Sequence, residues 1–304
     1  MKRFFSQAAL FVVISFAFAL TIEAFIYIQM RDRRAHIHED WPDIANLDVD
    51  YLIVGDSRSS GHLIPSVIDS ITGMRGYNIA YDGYRVKMGL NRLRYSLKKA
   101  KSAPKYVLIQ SDLSYMADSR LQRNYPMKDG VLRYFWLDQL GINQFYESYE
   151  NWRQADTWIP MLRYKGYPLI FAKHLLGWNR WDKRPKQGHW HLTKSVGFHG
   201  DESQPKNTEN LNYFNLLDIQ KDFGFTTVGF IPPSPASRWR PEQSAIDSLQ
   251  EQFEILDHSD LFKDSESLYF YDKSHFSKKG AIEYSTIIGK ELLKEHQNHA
   301  LQQP

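Results

Sequence analysis

Val49-Asp50-Tyr51-Leu52-Ile53-Val54-Gly55-Asp56-Ser57-Arg58-Ser59 is the stretch on which the fold is read. A short apolar run from Val49 to Val54 stops at a glycine, as a strand buried on both faces does. Downstream, the spacing predicts a short helix over 64–71, with Pro65 suited to a first turn. A strand over 77–80, an amphipathic helix over 86–100 and a strand over 106–109 follow, with Pro104 between the last two. After a long interval come a helix over 211–223, a strand over 225–231 and a helix over 245–256. A last strand over 268–271 and a closing helix over 279–295 complete the pattern. Strands alternating with helices predict an α/β fold with a mainly parallel sheet between two helical layers.

The chain has 304 residues, 42% hydrophobic and 14% aromatic, enough for a packed core and against global disorder. A net charge of +3, with no basic stripe among aromatics, argues against nucleic-acid binding. Mean hydropathy of −0.50 excludes a polytopic membrane protein. With no cysteine, disulfides, thiolate metal sites and a cysteine nucleophile are excluded. No cofactor or metal is expected. His189 and His191 at i, i+2 lack a third ligand in view, and His36 and His38 sit in a charge-rich linker.

The N-terminus carries its own signal. Lys2 and Arg3 precede an almost wholly apolar run from Phe4 to Met30. Such a helix is long enough for a hydrocarbon core of roughly 30 Å. Ala17-Phe18-Ala19 offers a signal-peptide cleavage site, but the apolar run continues past it, which favours an uncleaved transmembrane helix. Arg31, Arg33 and Arg34 blur the orientation. The basic extreme N-terminus and the absence of a second apolar run place the rest of the chain outside the cytoplasm, in the periplasm or at the cell surface. The expected organisation is therefore an anchor over 1–34, a stalk over 35–48, one domain over 49–295 and a tail over 296–304. An insertion at about 115–210 interrupts the domain. It holds Trp136, Trp152, Trp158, Trp178, Trp181 and Trp190, and helical spacing over 159–176. Tryptophans are more often core than platform, yet aromatic rings also pack against sugar faces.

Two motifs carry chemistry. Ser57 follows directly on the first strand, at the carboxyl edge where open α/β sheets place ligands. The bland reading of Gly55-Asp56-Ser57 is a turn with a helix cap. Near the C-terminus stands Tyr271-Asp272-Lys273-Ser274-His275. A serine hydroxyl needs a base, and the base needs a third group to hold its tautomer. An aspartate three residues before a histidine can reach that imidazole from one loop. Capping by Asp272 or Ser277 is the alternative.

With both motifs in place the chain resembles the SGNH/GDSL hydrolase superfamily, over most of 49–295. That resemblance implies a flavodoxin-like α/β/α sandwich with Ser57 as nucleophile, His275 as base and Asp272 as its orienting partner. Tyr77-Asn78-Ile79-Ala80-Tyr81-Asp82-Gly83 looks like the second family block, which implies that Gly83 joins the backbone of Ser57 in the oxyanion hole. The third block, normally G-x-N-D, reads Ile109-Gln110-Ser111-Asp112 here and has no asparagine. Losing such a donor costs about 2.7–4 kcal/mol of transition-state stabilisation. Gln110, Ser111 or a residue of the insertion could replace it.

Gly55-Asp56-Ser57-Arg58, followed by Pro65, further resembles the membrane-tethered members of that superfamily found beside cell-surface polysaccharide systems, which implies an extracytoplasmic esterase or O-acetyltransferase acting on acyl esters of cell-envelope or exported polysaccharide. Its partners would be that polysaccharide or another acylated substrate, the membrane and envelope polysaccharide machinery. A catalytically degenerate, membrane-tethered glycan-binding or scaffold protein is one alternative, and a lipid esterase another.

Overall fold

The computed structural model describes residues 2–31, 47–81, 84, 86–116, 216–235, 240–263, 266–272 and 274–302. Residues 117–210 of the insertion with its six tryptophans, residues 35–46 of the stalk, and Gly83 lie outside the described residues. Two compact units divide the chain. One contains helix α1 (Lys2–Arg31), and the other contains every remaining described element.

Helix α1 is continuous over 30 residues, about 45 Å at 1.5 Å per residue. Its large apolar side chains, including Phe4, Phe11, Val13 and Phe18, are exposed. Side chains along α1 are described only for Arg3 to Phe18 and Thr21. Among the described residues, no helix is long and apolar enough to cross a membrane.

The second unit is built on five parallel strands: β1 (Tyr51–Val54), β2 (Gly76–Asn78), β3 (Tyr106–Gln110), β4 (Thr226–Ile231) and β5 (Glu254–Asp257). They lie in the order β2-β1-β3-β4-β5. Chain progression reverses beside β1, and in such sheets the crevice at that reversal is where ligands bind. β1 and β3 are buried at every position, which explains the apolar runs over 51–54 and 106–109. Tyr51, Ile53, Leu108, Val228 and Phe230 share one core cluster. Packed into that cluster are Ile64, Ile68, Tyr284, Ile288 and Leu292, from the start of α3 (Pro65–Thr72) and from α9 (Lys278–Gln302). The alternate residues Leu52, Val54, Val107 and Ile109 are buried too. Helix α4 (Val86–Lys99) contributes buried Leu90, Leu93 and Leu97, and α6 (Leu216–Phe223) adds Leu216 and Ile219. The α/β fold with a mainly parallel sheet is therefore as expected. Pro65 opens α3, and Gly73 closes it with φ of 72°, a left-handed conformation that glycine adopts without steric cost.

Three elements differ from the sequence reading. The helix expected over 245–256 is α7 (Gln243–Gln250), and its last residues are instead the edge strand β5. The strand expected over 268–271 is a turn of helix, α8 (Glu266–Tyr269), followed by a single antiparallel bridge between Phe270 and Phe276. One cause links both corrections: β5 pairs with β4, so the edge that 268–271 would extend is already occupied. The closing helix runs to Gln302, through much of the expected tail. Short helices α2 (Ser57–His62) and α5 (Leu113–Met116) complete the described elements.

Candidate active site

Ser57 is the first residue of α2, immediately after the carboxyl end of β1. Ser-Arg-Ser-Ser-Gly-His is a poor helix sequence, so tertiary contacts must hold it. Asp56 caps it, accepting the Arg58 amide at 2.8 Å. Asn78, at the end of β2, donates through Nδ2 to the carbonyls of Ser59 (2.9 Å) and Leu63 (3.0 Å). Its Oδ1 accepts the Ala80 amide at 3.0 Å, so one buried side chain ties the second block to α2. Gly55 is required by space. A Cβ there would overlap the Ser59 side chain and lie 2.6 Å from Gln110 Oε1.

The Asp272–His275 loop is folded by its own aspartate. Asp272 Oδ1 accepts the amides of Ser274 (2.7 Å) and His275 (2.8 Å). Across the loop, the Tyr271 amide donates to the His275 carbonyl at 2.7 Å. His275 Nδ1 then meets Asp272 Oδ2 at 2.9 Å and Oδ1 at 3.0 Å. His275 Nε2 lies 2.9 Å from Ser57 Oγ, across 218 residues of sequence. All three expected site residues that are described thus form one hydrogen-bonded chain. They are brought together although the second motif follows a helical turn and not a sheet strand. Burial alone would raise the Asp272 pKa, but the bonds from His275 and the two amides outweigh it and hold the carboxyl below its ordinary value. Asp272 therefore stays ionised and keeps the His275 proton on Nδ1, leaving Nε2 to accept from serine. Such a chain can raise the nucleophilicity of a hydroxyl.

Beneath the serine lies a buried polar network that the motifs do not announce. The Arg58 guanidinium pairs with Asp112, the residues being 2% and 0% exposed. Arg58 Nη2 also donates to the carbonyls of Pro232 (3.0 Å) and Pro233 (3.1 Å), just after β4. One guanidinium therefore links the carboxyl ends of β1, β3 and β4. Burial pushes the Asp112 pKa up; Arg58 pulls it down, Asp56 pushes it up again, and the net direction is upward. Ser114 Oγ sits 2.9 Å from both Asp56 Oδ2 and Asp112 Oδ1, with one hydroxyl proton to offer.

Of the expected substitutes for the missing asparagine, Gln110 is engaged in this network, Ser111 bonds within its own segment, and the insertion's candidates lie outside the described residues. Gln110 Oε1 accepts the Asp56 amide (3.1 Å) and the Ser59 hydroxyl (2.7 Å). Its Nε2 donates to Asp112 (3.0 Å) and Ser114 (3.1 Å). Ser111 Oγ donates to the Ile109 carbonyl at 3.1 Å. Both side chains are buried; Gln110 supports the serine turn, and Ser111 bonds within its own segment. Arg58, Asn78, Ser114 and His62 were not singled out as site residues from the sequence. The run Gln110-Ser111-Asp112 at the end of an apolar strand was the one available signal, since polar groups buried there need partners. Among the described residues no cluster of metal-ligating side chains gathers. His189 and His191 lie outside them.

No protein-family model matches the chain, and comparison with characterised proteins finds no match.

Proposed function

We propose that this protein is a serine ester hydrolase or O-acyltransferase of the SGNH/GDSL type. The observation that carries the reading is the continuous Asp272–His275–Ser57 hydrogen-bond chain at the carboxyl edge of a parallel sheet. Ser57 Oγ attacks an ester carbonyl while His275 Nε2 takes its proton. Asp272 stabilises the imidazolium, and His275 returns the proton to the departing alkoxide. An acyl group then rests on Ser57. Water in the second half-reaction gives hydrolysis; a sugar hydroxyl gives transfer. The backbone N–H of Ser57 serves the oxyanion, with that of Gly83 as the expected second donor.

The cellular setting belongs to the same proposal. The anchoring role rests on the sequence: the apolar run from Phe4 to Met30, continuous here as helix α1 but with side chains described only in part, is the proposed membrane anchor, and the sheet unit is proposed to work on the extracytoplasmic side. Its substrate class is an acylated cell-envelope or exported polysaccharide. A second reading, a catalytically silent glycan-binding protein, is favoured by one observation: Gln110 and Ser111 both serve the scaffold.

The deciding experiment uses the full chain in detergent. The wild type hydrolyses p-nitrophenyl acetate and is labelled at Ser57 by a fluorophosphonate, and Ser57→Ala loses both. Activity unchanged in Ser57→Ala refutes the nucleophile. Glycan binding without labelling selects the silent reading. A preference for long-chain over acetyl esters replaces the polysaccharide substrate with a lipid.

A further inference from the structure

We infer that His62 is a positioning residue for this reaction, holding the base loop to the helix that carries the nucleophile. The inference rests on the hydrolase reading of the site. His62 ends α2, five residues after Ser57, and is fully buried. Its Nε2 accepts the Phe276 amide at 3.1 Å. Phe276 directly follows His275, so this bond grips the backbone of the base itself. An amide must donate, so Nε2 carries the lone pair and the His62 ring proton sits on Nδ1.

Two further contacts make the grip specific. The His62 ring stacks on the Phe276 ring, with centroids 4.0 Å apart and planes at 25°. It also meets the His275 ring edge-on at 6.3 Å. The C-terminal end of α2 is itself pinned. Ser285 of α9 lies with its hydroxyl 3.2 Å from the His62 carbonyl and accepts the Ile64 amide at 2.9 Å. The hydrogen bond between Ser57 Oγ and His275 Nε2 spans two separate chain segments, and its length depends on how those segments are held. Asp272 sets the orientation of the imidazole within its loop. His62 sets where the loop stands relative to the serine. Apolar packing of Phe276 alone would allow the loop to slide; an amide–imidazole bond does not, because it is directional.

The test compares His62→Leu, which keeps bulk and loses the acceptor, with His62→Gln, whose Oε1 can accept the same amide. In the full chain, His62→Leu lowers kcat on p-nitrophenyl acetate by about 10- to 100-fold, the range for a roughly 1 Å misplacement, with KM nearly unchanged. His62→Gln restores most of kcat. Wild-type kcat in a folded His62→Leu overturns the inference, as does a His62→Gln as slow as His62→Leu. A change in KM with kcat intact also overturns it. Hydrogen exchange of the wild type supplies a check that needs no variant. The Phe276 amide exchanges slowly, and rapid exchange there refutes the grip even if His62→Leu does not fold. Failure of the hydrolase reading looks different: the wild type then has no Ser57-dependent turnover.

Discussion

Replacing Arg58 by methionine tests the buried network under the serine. Methionine preserves much of the volume and removes the charge. Asp112 Oδ1 keeps Gln110 Nε2 at 3.0 Å, Ser114 Oγ at 2.9 Å and the Tyr115 amide at 3.2 Å. Asp112 Oδ2 loses its guanidinium partner, and the Pro232 and Pro233 carbonyls lose their donor. Breaking one side of a buried ion pair costs about 3–5 kcal/mol. The cost depends on pH, because a buried carboxyl can escape by taking up a proton. Burial and Asp56 already raise the Asp112 pKa, and losing Arg58 raises it further. A carboxyl with a raised folded-state pKa contributes stability below its unfolded value of about 3.9 and loses it as pH climbs through the folded value. The Arg58→Met penalty therefore grows with pH, by at most ~1.4 kcal/mol per unit. Urea unfolding of the full chain at pH 6 and pH 8, each against wild type at the same pH, measures it. Arg58→Met with Asp112→Leu removes both charges and recovers most of the loss. A penalty under ~1 kcal/mol at pH 8, or no recovery in the double variant, refutes a stabilising pair at this position. An Arg58→Met chain that is unfolded at pH 8 but refolds with Asp112→Leu supports it.

Asp272→Asn leaves the serine and histidine in place but removes the charge behind Nδ1. The corresponding change in a buried triad costs about 10⁴ in kcat. Asp272 is 42% exposed, so solvent screening reduces the loss here to about 10²–10³, read by ester hydrolysis at pH 8. A loss below 10-fold removes Asp272 from the site. Gly55→Ala forces its Cβ into Ser59 and Gln110 and destabilises the fold by about 1–3 kcal/mol, with a fall in fluorophosphonate labelling at Ser57. Wild-type labelling and melting temperature would show that the turn has slack. Glu254, at the opposite end of the sheet from Ser57, is pushed up to about 7, first by burial and then by Glu295 beside it. Its contribution is full below pH 4.5 and lost as pH rises through 7, so Glu254→Gln is more stable than wild type at pH 8 and equal to it at pH 5. Screening of this exposed group limits the gain to ~1 kcal/mol or less; a loss at pH 8 contradicts the assignment. Deleting residues 2–31 moves the protein from the membrane pellet to the soluble fraction, and retention in the pellet denies α1 the anchoring role.

The parts of the fold legible in the sequence are those where one local pattern determines the outcome. Residues 51–54 and 106–109 are unbroken apolar runs followed by turn or polar residues, and a strand covered on both faces buries them fully. Glu254–Asp257 is ambiguous in sequence because two apolar residues between two acidic ones suit an edge strand and a helix end equally. Leu268–Tyr271 was misread because nothing local records that the edge beside β4 is occupied.

The same division runs through the site. Residue type, spacing and the family resemblance make Ser57, Asp272 and His275 candidates, but turn and capping roles account for the same two motifs when each is read by itself. Only the tertiary structure decides that Ser57 Oγ and His275 Nε2 meet at 2.9 Å, because that distance depends on how two segments 218 residues apart pack together. It also decides where the Gln110 amide is used. Gln110 could have donated to an oxyanion, but both ends of its amide have partners under the serine. A buried amide must satisfy donor and acceptor together, and which groups stand within 3 Å of it is a property of the assembled sheet and of no single segment.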